Sequence, residues 1–269
     1  MVLESLFPSK EILNKPLDML ILSFVVSLAS IFLSQLIFPG PSTGRIITLF
    51  TTVIMAPIIY RIFIYEEELE REEAEGKIKE SFLQRHQETV LLFSLFFIGN
   101  FLAIFIFSLV APEDFIKSVF DDQLTEISRI SSLSGDLITS AAVSNILEVI
   151  VLNNLRVMTL AFLLSFLIGT GAIIILSWNA SILALYLANF VRQGLIEDFL
   201  VRSLSIIPHA PIEILAYFLA GIGGGILSVG IIREKIKSKE FILVFRDSLL
   251  MMGLAVLSVV IGAYVEVFL

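Results

Sequence analysis

Two short polar clusters hold the side chains best able to do chemistry in this chain. Asn153-Asn154-Leu155-Arg156 stands just before the apolar run Val157–Leu176, and Pro208-His209-Ala210-Pro211-Ile212-Glu213 stands just before Ile214–Ile232. Together they place a guanidinium, an imidazole, a carboxylate and two amides beside long hydrophobic stretches. Groups so close to hydrocarbon are costly unless they are paired, wet or functional. Arg156 and Glu213 are the natural ion pair by depth, and such a pair would clamp two helix ends. Asn153 or Asn154 would serve as the N-cap of the helix that follows. His209 precedes Glu213 by four residues, so a helix that begins early sets both on one face, although Pro208 and Pro211 make that first turn irregular. Clamping is the plain reading of these five residues, and a surface facing a partner or ligand is the alternative.

The elements that position them are membrane helices. The 269 residues are 57% hydrophobic, with mean hydropathy +0.95. Five runs, Leu17–Phe38, Thr89–Val110, Val157–Leu176, Ile214–Ile232 and Ser248–Phe268, match the roughly 20 residues that cross a hydrocarbon core. Ile46–Ile64 is a sixth, interrupted by Pro57, and Trp178–Val191 a short seventh carrying Asn179 and Asn189. The expected fold is all-α, a polytopic transmembrane bundle of about seven spans in the cell membrane. With the N-terminus inside, twelve of the eighteen basic residues fall on the cytoplasmic side and six outside, the sign expected of cytoplasmic loops. If Trp178–Val191 did not cross, the basic loop Arg233–Arg246 would lie outside. The orientation is therefore N-inside and C-outside, with a re-entrant 178–191 as the rival.

Between the spans, Tyr65–Gln87 reads as one charged helix that prolongs span two. It has Glu67/Arg71, Glu73/Lys77 and Glu75/Lys79 at helical spacing, and it contains the eight glutamates of Glu66–Glu80, the source of much of the net charge of −8. A solvated spacer is the plain reading and a docking arm the functional one. Residues 111–152 form the longest outer segment, read as one or two amphipathic helices with a break at Ser131–Gly135. Residues 1–16 look interfacial, and no cleavable signal pattern is present. The chain divides into a two-span extension with its charged helix, 1–84, and a five-span core, 85–269.

Span six contains Gly221, Gly223, Gly224 and Gly225, a small-residue face for close helix packing, and Gly169 and Gly171 in span four are its expected complement. Gln35, Asn100, Asn179 and Asn189 are expected to bond between helices. The chain has no cysteine and no His-Glu-x-x-His, Gly-x-Ser-x-Gly, Walker or metal-spaced carboxylate motif. His86 and His209 fall on opposite sides of the membrane. No catalytic residue, metal site or cofactor is expected, and no nucleic acid partner.

Asn153-Asn154-Leu155-Arg156-Val157 running into Leu163–Gly171, followed by Pro208-His209-Ala210-Pro211-Ile212-Glu213 running into Tyr217–Gly225, resembles the stage II sporulation protein M family. Its members start one helix with an Asn-Asn-x-Arg-like sequence and another, two helices on, with a Pro-His-Gly-x-x-Glu-like one; Ala210 stands where Gly is usual. The resemblance covers roughly 85–269, and the two extra N-terminal spans look like those of archaeal members. It implies an integral membrane protein without evident catalysis. In spore-forming bacteria the namesake is a scaffold for peptidoglycan-degrading partners. The expected role here is a non-enzymatic scaffold or assembly factor, a homo-oligomer among membrane lipids that binds membrane or envelope proteins. The alternative is a permease or lipid-translocating protein with a wet cavity at Arg156, His209 and Glu213.

Overall fold

The computed structural model describes residues 15–40, 42–79, 81–140 and 143–268, with side chains of 131–145 left aside; the expected interfacial segment 1–16 lies almost wholly outside them. Among the described residues the chain is all helix: α1 (Leu17–Ile37), α2 (Thr43–Ala74), α3 (Phe82–Val110), α4 (Glu113–Val119), α5 (Asp121–Ser140), α6 (Val143–Ile168), α7 (Ala172–Arg192), α8 (Ile196–Ile206), α9 (Ala210–Arg233) and α10 (Lys239–Phe268). Seven of these, α1, α2, α3, α6, α7, α9 and α10, are long and apolar enough to cross a membrane. This is a multi-pass membrane protein.

The spans differ from the sequence reading at three breaks. The charged stretch is not one helix. α2 stops at Ala74, Gly76 takes φ +75°, and Ser81 opens α3 with a capping box, its hydroxyl accepting from the Gln84 N–H while the Gln84 side chain accepts from the Ser81 N–H. Glycine is the residue that tolerates that backbone, and the box satisfies two donors at the new helix start. Glu66–Glu70 therefore fold back along Arg85–Thr89 instead of projecting into water. The second break falls at Gly169 (φ +81°) and not near Leu176, so the short span gains about two turns and reaches 21 residues. The third expected break, Ser131–Gly135, is absent: α5 runs straight through it.

α9 is the axis of the bundle, its helical window 78% buried. Its small face admits neighbours on three sides. A Cβ on Gly221 would lie 2.5 Å from that of Ala172 in α7, one on Gly224 would meet the backbone of Phe162 and Phe166 in α6, and one on Gly225 would enter the ring of Phe63 in α2. Spans four and six do touch, as expected, but the complement of the glycine face is the backbone of α6 around Phe162. Gly169 and Gly171 instead form the α6–α7 turn, where Gly169 rests against Tyr60. The middle is filled by aromatic rings, with Phe93 and Phe97 each edge-on to Phe218 and Phe63 tilted against Phe93. Of the intramembrane amides, Asn100 donates to Ser177 across α3 and α7. Asn179 donates to Ile175 within α7 and Asn189 accepts from Gln193 at its C-terminal cap, so neither of these bonds bridges helices.

Candidate functional sites at the two ends of the bundle

At the end where α6 and α9 begin, the sequence motifs meet, with different partners from those expected. α6 starts at Val143, ten residues before Asn153, so neither asparagine caps it. Asn154 is buried and donates to Glu213 Oε1 at 2.6 Å, while Tyr217 Oη donates to Asn154 Oδ1 at 2.6 Å. Glu213 packs against Gly262 of α10 and faces the Glu266 carboxyl, with His209, at the first turn of α9, near enough to act on Glu266. Arg156 is exposed, as is Asn153. Successive helical residues turn by 100°, so Asn154 and Arg156 stand on opposite faces of α6 and only one can point at α9. The expected Arg156–Glu213 clamp is thus an Asn154–Glu213–Tyr217 clamp.

It follows that Asn154→Ala, which strips a partner from both Tyr217 and Glu213, should cost about 1–3 kcal/mol. Arg156→Ala should leave stability unchanged. Thermal melts of the two variants in detergent decide it, and equal losses would remove the clamp as drawn.

A cleft of about 280 Å³ opens at this same end, lined by Ser108, Glu113, Lys117, Asn189, Arg192 and Gln193. Its cations are engaged. Arg192 Nη1 donates to the carbonyls of Ser108 (2.5 Å) and Ala111 (2.8 Å), and Lys117 pairs with Glu113 at 2.6 Å. That exposed hydrogen bond lowers the Glu113 carboxyl and raises the Lys117 ammonium from their ordinary values.

The opposite end, rich in Lys and Arg, carries a polar cluster that the sequence reading missed. Glu66, Glu70 and Glu73 share one face of α2 at helical spacing. Arg85, His86 and Thr89 lie in the first turns of α3, and Asp247 lies on the buried face of α10 after Leu243 and Val244. Glu66, Glu67, Glu70 and Asp247 have no exposed surface, and Arg85 and His86 are each 2% exposed. Arg85 joins Asp247 and Glu73, which ties α3 to α10 and α2. Glu66 receives His86 Nδ1 at 2.6 Å on one oxygen and the Thr89 hydroxyl on the other. Arg246 Nε donates to Asp247 Oδ1 at 2.9 Å, and Arg233 Nε lies 2.8 Å from Glu67.

His86 Nε2 lies 3.4 Å from Asp247 Oδ2 and 3.9 Å from Glu70 Oε1, so Glu70, His86 and Asp247 form a group of potential metal ligands assembled from three helices. No local spacing announces it, because Asp247 lies 161 residues from His86. The available signal was Gly76 followed by Ser81-x-x-Gln84, which marks a hairpin and forces the glutamates against Arg85 and His86.

Residues 46–269 match the sequence profile of the family described as Stage II sporulation protein M. The match begins in α2 and takes in both end clusters. No curated protein and no solved structure matches the chain.

Proposed function

The chain belongs to the stage II sporulation protein M family, and on that premise we propose that it is a non-enzymatic scaffold or assembly factor of the cell membrane, which binds membrane or envelope proteins as a homo-oligomer. One observation carries this over a permease. The buried charged groups gather at the two ends, while the centre is closed by Phe63, Phe93, Phe96, Phe97 and Phe218 packed around the glycine face of α9. Ionisable groups at mid-depth mark the paths of ions and charged substrates, whereas the buried amide there, Asn100, donates to Ser177. Here Arg156 faces outward and Asn154, Glu213 and Tyr217 bind one another, so the trio expected to line a wet cavity does not converge.

The partner surface we favour is the end carrying α4, α5 and α8. No residue of α8 is buried, and Ile196, Leu200, Val201 and Leu204 are exposed along it. The charged end of α2 is a weaker candidate, since Glu66, Glu67 and Glu70 point into the bundle. With basic loops inside, α8 would lie outside the cell.

Affinity purification of the full chain from native membranes tests the proposal. A stoichiometric partner that is lost when Leu200 and Leu204 become Glu, while the melt is unchanged, supports it. A partner-free chain that carries ions or lipids in proteoliposomes overturns it in favour of transport. Because the chain lacks cysteine, a single Lys237→Cys reports orientation, and labelling from outside intact cells would invert the topology.

A further inference from the structure

The cluster at the basic end holds a carboxylate that its surroundings leave unanswered. Glu70 is fully buried, and neither of its side-chain oxygens has a hydrogen-bond partner among the described residues. Natural interiors rarely leave a carboxylate so, because a buried charge requires pairing or coordination. His86 Nε2 lies 3.9 Å from its Oε1. The other imidazole nitrogen, Nδ1, is held by Glu66 at 2.6 Å. In the neutral tautomer whose Nδ1–H donates to Glu66, the Nε2 lone pair faces Glu70 and Asp247.

A carboxylate behind a histidine, with the histidine facing further carboxylates, is the arrangement by which a metal-binding imidazole is oriented from its outer shell. Carboxylates outnumber cations here: Glu66, Glu70, Glu73 and Asp247 stand against Arg85 and the half-exposed Arg246.

We propose that Glu70, His86 and Asp247 bind a divalent first-row transition-metal ion, with Glu66 orienting His86 from behind, so that the ion ties α2, α3 and α10 together. The spacing suits this. Donors about 2.0–2.2 Å from a metal lie about 2.8–3.6 Å apart around a tetrahedral or octahedral centre. His86 Nε2 and Asp247 Oδ2 are 3.4 Å apart, and the three ligand atoms lie within 4.8 Å of one another. Glu70, unheld by hydrogen bonds, has a few tenths of an ångström to close toward His86 and at most about 1.2 Å toward Asp247. One imidazole nitrogen with carboxylate oxygens and no sulfur favours zinc, manganese or iron over copper(I). The turn 75–79 between α2 and α3 is largely exposed. The proposal stands on this geometry and not on the scaffold reading.

The test uses the full chain in detergent, stripped with EDTA, loaded with Zn²⁺, desalted and assayed for retained metal. The wild type should keep about one equivalent, and Glu70→Gln, which preserves shape while removing the unpartnered charge, should lose at least tenfold in affinity. The melts should cross over. Without metal Glu70→Gln melts above wild type, since the buried charge is gone, whereas with Zn²⁺ the wild type gains several degrees and the variant does not. Metal retained equally by both proteins would be surface binding and overturns the site, as does a wild type that keeps none. If the variant fails to fold, Co²⁺ added to the wild type decides: visible d–d absorption that Zn²⁺ abolishes supports the site, and its absence overturns it.

Discussion

Arg85→Met should lower the unfolding free energy by about 3–5 kcal/mol, the cost of breaking a buried ion pair from one side. Arg85 is 2% exposed and its guanidinium joins Asp247 and Glu73. Without it, two carboxylates remain in a site that already holds Glu66 and Glu70. Replacing Asp247 with Leu as well should return a large part of the loss, since a buried pair exchanged for apolar groups of similar volume is often nearly neutral. The chain has one tryptophan, Trp178 in α7, and its fluorescence through denaturant or heat reads both variants. A single variant within about 1 kcal/mol of wild type would mean that this pair does not hold the three helices together.

Gly224→Ala should cost about 1–3 kcal/mol and Gly224→Leu should abolish the folded state, because overpacking is tolerated only where the neighbour can move. The first atom a Cβ would meet is the carbonyl oxygen of Phe162, followed by the Phe166 nitrogen and Ser165 Cβ, each at 3.1 Å. These are largely backbone atoms of α6, so relief demands that the whole helix retreat. Gly225 contrasts with this, since its Cβ would meet the Phe63 ring, which can turn. Gly253→Ala is the control. That position has nothing within 4 Å, and alanine there improves helix propensity by about 1 kcal/mol. Folded yield by gel filtration and the Trp178 melt separate the three. Equal tolerance at 224 and 253 would show that α6 and α9 are not in backbone contact.

The two experiments probe features of unequal visibility. The glycine face of span six is legible because four glycines within five residues have few uses in an apolar helix other than close packing. What they pack against is not legible: Gly169 and Gly171 matched as small residues, yet one occupies a turn with positive φ and the facing surface is plain α6 backbone. The outer polar motifs were likewise legible as a site. The choice of Asn154 over Arg156 depended on the rotation of α6 about its own axis. The Glu66–Glu70 run carried the least local information, since at helical spacing the same glutamates suit a solvated arm and a buried cluster equally.

By itself the sequence determined the all-helical membrane class, seven apolar helices and the two motifs, one within α6 and one at the start of α9. Hydrocarbon demands about 20 apolar residues in succession, and that requirement is written along the chain. Only the tertiary structure decided that Glu70, His86 and Asp247 share one place, that Arg85 rather than Arg156 carries a buried ion pair, and that the centre is closed by rings. Burial of a charge is a property of helices brought together from distant segments, and each helix's rotation is settled by all of its neighbours at once.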